Sequence, residues 1–197
     1  MLFRSSLRDQ DLSRKCRVAL CKLADELIEG AEETTYYTFR TKGRPVNRLV
    51  LPKRTIVPVV AAHFLTHDRK YTDALCRTVQ YTMGANPMNR GYVSGLGERW
   101  FIPYQLDFDV ADMPAPSGLP NFGPIYQTAT RWGWAGIWAI RRIENGGLYP
   151  DKLLDWPFAE KCFNNCWVAP VNEFTVRHPM GELITLAGYL AQNASRE

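Results

Sequence analysis

Two adjacent helical patterns followed by strong helix breakers constrain the fold of this chain more than any other feature. Residues 55–67 are mostly apolar and predict a buried helix. Apolar residues then recur at helical spacing through residues 70–83. Only Asp68 and Arg69 separate the two patterns, so the helices form a hairpin. Gly84 is a suitable cap for the second helix, and Pro87 prevents its continuation.

Helical patterns also occur near both ends of the chain. Residues 7–28 carry leucines and Cys16 at spacings of three and four, and Gly30 is the predicted cap of this helix. A last helix is predicted over residues 180–194, with Pro179 at the favoured place before it. Strand signals are confined to short pieces in residues 34–50. The expected fold class is therefore all-α, built from helical hairpins.

The connections between these helices are long and irregular. Residues 85–128 show no clear periodicity and are rich in proline and glycine, which break helices. The same stretch is rich in aromatic residues, and 46% of the whole chain is hydrophobic, so disorder is not expected. Long ordered loops on a helical scaffold are where binding and catalytic residues concentrate. We expect the irregular loops to lie at one face of the fold and to carry its function.

Two sequence blocks resemble glycoside hydrolase family 9, the cellulase family built on an (α/α)6 barrel. In the first, "YTMGANPMNRGYVSGLGERW", Gly84, Asn86 and Pro87 match the Gly-x-Asn-Pro that ends a helix in that family. The "YVSGLG" that follows is similar to the family's glycine-rich turn at the substrate cleft. The second block, "APVNEFTVRHPMGELITLAGYLA", looks like the family's closing Asn-Glu block and its last helix. The order and separation of the two blocks also fit.

The resemblance implies a particular architecture. Residues 1–197 would be a single unit, the C-terminal half of a family 9 catalytic domain, and thus a fragment forming a partial toroid of the (α/α)6 barrel. Each hairpin of such a barrel packs on both of its neighbours, so a partial toroid leaves an apolar face uncovered. We therefore expect the chain to associate with itself or to need the missing N-terminal half.

The resemblance also implies a carbohydrate substrate, of the β-glucan or cello-oligosaccharide kind. By the match to the Asn-Glu block, Glu173 is the candidate general acid and Asn172 orients it. The apolar neighbours of Glu173 predict a raised pKa, which keeps a carboxyl protonated near neutral pH. The candidate substrate-binding residues supply hydrogen-bond donors and aromatic rings; they are Asn86, Arg90, Tyr92, Arg99, Trp100, Tyr104 and Asn172.

Departures from the family pattern indicate that the chemistry is incomplete in this chain. The family's catalytic base lies in an Asp-Ala-Gly-Asp block, and its His-His-Arg element binds sugar; neither block occurs here. Asp107, Asp109 and Asp112 form a run of carboxylates, but nothing in the pattern marks one of them as a base, and a solvated loop is the simplest interpretation. Two alternatives to a glycoside hydrolase stay open: a non-catalytic carbohydrate-binding remnant, and a helical interaction domain without a sugar-binding role.

Several other ligands and partners are not expected. The basic residues between positions 40 and 54 lack a nucleic-acid recognition motif and predict a solvated loop. No apolar run approaches the ~20 residues that a membrane span needs. His63 and His67 lie four residues apart without a third ligand, so they are interpreted as core or surface histidines. We expect no metal and no cofactor.

Overall fold

The computed structural model describes residues 9–39, 53–103, 112–121, 123–124, 155–157, 160–162, 164 and 181–194. These residues form the helices α1 (Gln10–Glu32), α2 (Lys53–Thr66), α3 (Arg69–Met83) and α4 (Gly181–Ala194). Within those ranges β-structure is limited to isolated bridges. The predicted all-α class is confirmed. Residues 34–39 form no strand, and the remainder of the predicted strand region, residues 40–50, lies outside the described residues.

The first helix ends later in the chain than its sequence pattern predicts. It begins after Asp9, whose carboxylate accepts a hydrogen bond of 2.9 Å from the backbone N–H of Leu12. Gly30 was predicted to end the helix, but α1 continues through it to Glu32. The reason is a tertiary contact, since Ala31 is fully buried in the core. Burial of that residue outweighs the weak helix propensity of the glycine before it.

The hairpin of α2 and α3 is confirmed, including its turn and its cap. Asp68 caps α3 by accepting a hydrogen bond from the N–H of Lys70 at 3.0 Å. Gly84 ends α3 with a φ of +123°, a conformation that favours glycine. α2 begins two residues earlier than expected, so Pro58 lies inside the helix, beyond its first turn.

The core lies between the four helices, and α2 contacts the other three. Its buried apolar side chains are Ala24, Leu27, Ala31, Tyr37, Phe39, Ile56, Val59, Ala62, Tyr71, Ala74, Leu75 and Leu186. His63 on α2 is largely buried, and its Nδ1 lies 2.6 Å from the hydroxyl oxygen of Tyr189 on α4. This agrees with the interpretation of His63 as a core histidine, and it ties the last helix to the hairpin.

Polar contacts fix α3 against α1. The Tyr71 hydroxyl donates to Asp25 at 3.0 Å, and Lys70 forms an ion pair with the same carboxylate at 2.8 Å. Burial, together with the bond to Asp25, raises the pKa of Tyr71 to about 12. Near the other end of α3, Arg77 pairs with Glu32 at 2.7 Å and lies 3.5 Å from the centre of the Tyr37 ring. These contacts hold the end of α3 in place, and the candidate site starts there.

None of the helices in the described part of the chain combines the length and apolar character required to cross a membrane.

Candidate functional site

After α3 the chain enters a turn that hydrogen bonds of the Asn86 side chain stabilise. Its side-chain Nδ2 donates to the carbonyl of Tyr81 at 2.9 Å and to that of Arg90 at 2.7 Å. Its Oδ1 accepts from the N–H of Met88 at 3.1 Å. Asn86 was predicted to donate to a substrate. The structure instead engages both amide hydrogens within the protein, in a largely buried side chain. Asn86 therefore sets the direction in which the chain leaves the helix.

Residues 92–100 form a closed turn, here called the 92–100 turn. At its neck the N–H of Gly91 donates to the carbonyl of Arg99 at 2.8 Å, and the N–H of Phe101 donates to the carbonyl of Gly91 at 2.9 Å. The N–H of Tyr92 donates to the carbonyl of Thr82 at 2.8 Å, which joins the turn to the last residues of α3. Residues 95–99 are exposed, so the turn projects from a fixed base into solvent.

Ser94 holds the 92–100 turn against a second loop segment, residues 116–121. Its hydroxyl donates to the carbonyl of Pro116 at 2.6 Å and accepts from the N–H of Leu119 at 2.9 Å. Its backbone N–H donates to the carbonyl of Leu119 at 3.0 Å, and its carbonyl accepts from the N–H of Gly118 at 2.7 Å. Gly95 follows at φ +71°, and a Cβ there would overlap the side chain of Ser117. Only glycine allows the two segments to approach so closely.

Stacked aromatic rings pack in the protein interior beside the 92–100 turn. The Tyr92 ring lies between Tyr81, at 5.7 Å and 13° between planes, and Phe101, at 4.9 Å and 26°. Tyr36 meets the far ring, Tyr81, edge-on at 5.9 Å. Tyr92 has 0% of its surface exposed. The sequence analysis expected this ring to face a sugar, and the structure places it in the interior, because its stacking partners cover both faces.

The buried groups around this stack stay uncharged. Burial raises the pKa values of the Tyr81 and Tyr92 hydroxyls and of the Cys162 thiol far above their usual ranges. Among the described residues neither tyrosine hydroxyl has a partner within hydrogen-bond geometry. Because all three groups are buried as well as protonated at neutral pH, they offer neither a charge nor an accessible proton at the surface. These three side chains therefore contribute packing.

Arg99 and Trp100 on the 92–100 turn, and Arg90 just before it, are predicted site residues that keep exposed surface, and we call them the rim residues. Arg90 donates from Nη1 to the carbonyl of Trp100 at 3.4 Å, and its guanidinium lies 6.0 Å from the centre of the Phe101 ring. Arg99 is exposed and Trp100 is half-buried. No carboxylate among the described residues pairs with either arginine. The rim thus offers guanidinium donors beside an indole ring, a combination suited to hydroxyl-rich flat ligands.

Other predicted residues of the site lie outside the described residues, namely Tyr104, Asn172 and Glu173. Their roles stay predictions. The described part of the chain holds no group of three or more His, Cys, Asp or Glu side chains that could bind a metal.

Three polar residues of the site were missed in the sequence. They are Ser94, Asn121 and Asn164, and each bonds to backbone far away along the chain. Asn164 accepts from the N–H of Ile102 at 2.8 Å across 62 residues. No local spacing signals such a contact. Asn86 differs, because its bonds are local and Asn-Pro after a helix is a turn signal.

Comparison with known proteins finds this fold in several solved endoglucanase structures. The structure of the family 9 endoglucanase J30 superimposes with a TM-score of 0.70 at 17% identity, over 96% of this chain and 33% of that one. An endoglucanase from Alicyclobacillus acidocaldarius superimposes with a TM-score of 0.63 at 19% identity, over 93% of this chain and 32% of that one. The structure of AaCel9A with a cellobiose-like isofagomine gives a TM-score of 0.64 at 20% identity over 93% of this chain.

A sequence relative indicates the same class. Endoglucanase C of Cellulomonas fimi is 36% identical over 83 residues, which are 38% of this chain and 7% of that protein. No protein-family model matches the sequence. The chain spans only about a third of the solved structures' length and a much smaller share of Endoglucanase C.

The fold defines a class: helical hairpins of an (α/α)6 barrel. More particularly, it is the fold of the glycoside hydrolase family 9 endoglucanases, and the resemblance stated from the sequence is confirmed.

Proposed function

We propose that this chain is part of a glycoside hydrolase catalytic domain that binds a β-linked glucan or cello-oligosaccharide at the rim residues. The observation that carries the proposal is the 92–100 turn. It follows the Gly-x-Asn-Pro end of a helix, is closed by backbone hydrogen bonds at Gly91, and carries Trp100 next to Arg99 and within reach of Arg90, neither of which pairs with a carboxylate among the described residues. The fold shared with family 9 endoglucanases supports this reading, and AaCel9A was solved with a cellobiose-like isofagomine.

The proposed reaction is hydrolysis of an O-glycosidic bond with inversion. An inverting enzyme places one carboxyl group to protonate the leaving oxygen and a second to activate water on the opposite face of the sugar. We assign the first role to Glu173, with Asn172 orienting it. The block that carries the second carboxylate in the family is absent from these 197 residues. The isolated chain should therefore bind sugar without measurable turnover.

A non-catalytic carbohydrate-binding remnant is the second candidate function. The absence of the His-His-Arg element, which in the family follows the glycine-rich turn, favours it. Such a remnant would bind sugar at the same rim residues. It would not hydrolyse a glycosidic bond, even as part of a longer protein. A helical interaction domain without a sugar role is the remaining alternative, and sugar binding separates it from the other two.

Replacing Trp100 by alanine tests the binding proposal. Loss of the indole should weaken binding of a soluble cello-oligosaccharide about tenfold, because an aromatic contact contributes ~1–1.5 kcal/mol. Isothermal titration calorimetry measures the change. The matched control is Phe64→Ala, which removes another exposed aromatic ring, on α2. If the parent chain binds the sugar and Trp100→Ala binds it equally well, the rim is not where the sugar lies.

We also propose that the isolated chain associates with itself. Large apolar side chains are exposed on three helices: Val18 at 61%, Phe64 at 50% and Ile184 at 64%. In the complete barrel, neighbouring hairpins would cover such surfaces. Sedimentation velocity should show concentration-dependent association. A monodisperse monomer across the accessible concentration range would contradict the proposal.

A further inference from the structure

Asn121 joins both ends of the 92–100 turn from a separate segment of the chain. Its backbone N–H donates to the carbonyl of Tyr92 at 2.7 Å, at the start of the turn. Its side-chain Nδ2 donates to the carbonyl of Phe101 at 2.8 Å, immediately after the turn. Asn121 is 0% exposed, so both bonds are shielded from water. One buried residue therefore spans the base of the turn.

The side-chain bond fixes a point next to the rim. The Phe101 carbonyl lies one peptide unit after the bond that joins Trp100 to Phe101, and the N–H of Phe101 is itself held by the carbonyl of Gly91, so fixing both groups limits the movement of the backbone that carries the indole. The Phe101 ring is also stacked on Tyr92, so one ring pair and one amide hold both ends of the turn to the same base. Without the amide donor, the buried carbonyl loses a partner that water cannot readily replace.

We propose that Asn121 is a positioning residue for the rim, acting on Trp100 through the carbonyl of Phe101 without touching the sugar. The inference rests on the proposed function, because the rim has a role only if it binds carbohydrate. It predicts that removal of the amide donor moves or loosens the indole while the helices stay intact. Affinity for cello-oligosaccharide should then fall with the rim residues all present.

The test compares two variants of the full 197-residue chain with the parent. Asn121→Ala removes the donor, and Asn121→Asp keeps the size of the side chain but presents an acceptor to the Phe101 carbonyl. Both should weaken binding of cellopentaose, measured by calorimetry, by about tenfold. The affinity of Asn121→Asp should recover as pH falls, because burial raises the pKa of the introduced carboxyl and its protonated form can donate. A residue that merely fills space would show no such recovery.

Amide hydrogen exchange supplies a readout that does not depend on sugar. In Asn121→Ala, exchange in a peptide covering residues 99–103 should become about tenfold faster, while peptides from α3 stay protected. Ile56→Val is the matched control, because it trims a buried side chain in the helical core, away from the turn. It should lower the melting temperature without changing the local exchange or the affinity.

The outcomes separate the two proposals. A parent chain that fails to bind cellopentaose overturns the proposed function before any variant is compared. A parent that binds, with Asn121→Ala binding equally well or showing unchanged exchange at residues 99–103, overturns the positioning role alone. An equal loss of affinity in Ile56→Val assigns the effect to overall stability and also overturns that role.

Discussion

Alanine at position 92 is expected to destabilise the fold by ~3–5 kcal/mol, the range for removing a large buried aromatic side chain. Tyr92 is fully buried, and its loss leaves a void between Tyr81 and Phe101. A small domain has a free energy of unfolding of about 5–15 kcal/mol, so this one change removes a large share of it. Urea unfolding followed by circular dichroism measures the difference.

Phenylalanine at the same position should change the stability of the fold in the opposite direction. The Tyr92 hydroxyl is buried and has no hydrogen-bond partner among the described residues, so Tyr92→Phe removes a desolvated polar group and leaves the stack intact. We expect the variant to be as stable as the parent or more stable, by up to ~1–3 kcal/mol. Its affinity for cello-oligosaccharide should be unchanged. A loss of affinity without loss of stability would show that the hydroxyl reaches the ligand.

The stability of Tyr92→Phe should also depend on pH differently from that of the parent. Burial raises the pKa of Tyr92 in the folded state above the unfolded value of about 10. A neutral acid with a raised folded pKa stabilises the fold fully below the unfolded pKa, and that stabilisation is lost as pH rises above about 10. Tyr92→Phe cannot ionise there. Its stability should therefore fall less steeply above pH 10 than that of the parent.

The helical scaffold could be predicted because its signals are local. Asp68 and Gly84 cap α3 from positions that the sequence shows directly, and the apolar spacing between them defines one face. The error at Gly30 has a tertiary origin. Nothing nearby in the sequence shows that Ala31 is buried in the core, and it is this contact that extends α1 past the glycine.

The orientation of the site residues was harder to predict, because the side chain of a loop residue can face either the protein interior or solvent. The sequence placed Tyr92 and Trp100 together on the surface of a cleft, and the structure buries the first and leaves the second half-exposed. The alternation of inward-facing and outward-facing side chains along a segment cannot be recognised from sequence when glycines interrupt the pattern. Asn121 contacts Phe101 across 20 residues, a distance at which a single sequence carries no pairing signal. Residue types were therefore easier to predict than their orientation.

Replacement of Glu173 by glutamine is expected to slow hydrolysis of an unactivated β-glucan by ~10²- to ~10⁴-fold, the usual contribution of general acid catalysis. The test requires the complete catalytic domain of which we propose this chain is a part. Glutamine keeps the size and polarity of the side chain but cannot protonate the leaving oxygen. Affinity for unhydrolysed oligosaccharide should therefore survive, and the loss should appear in kcat.

Substrate reactivity separates an acid from a residue that only supports the site. An aryl glycoside with a good leaving group needs little protonation, so Glu173→Gln should slow its hydrolysis far less. The alkaline limb of the pH profile of kcat, which reports deprotonation of the acid, should disappear with the unactivated substrate. Glu29→Gln is the matched control, because it neutralises an exposed carboxylate on α1, outside the 92–100 turn, and should leave both rates unchanged. Equal activity of Glu173→Gln and the parent on the unactivated glucan would remove Glu173 from the acid role, and the carbohydrate-binding remnant would then be the better account of the chain.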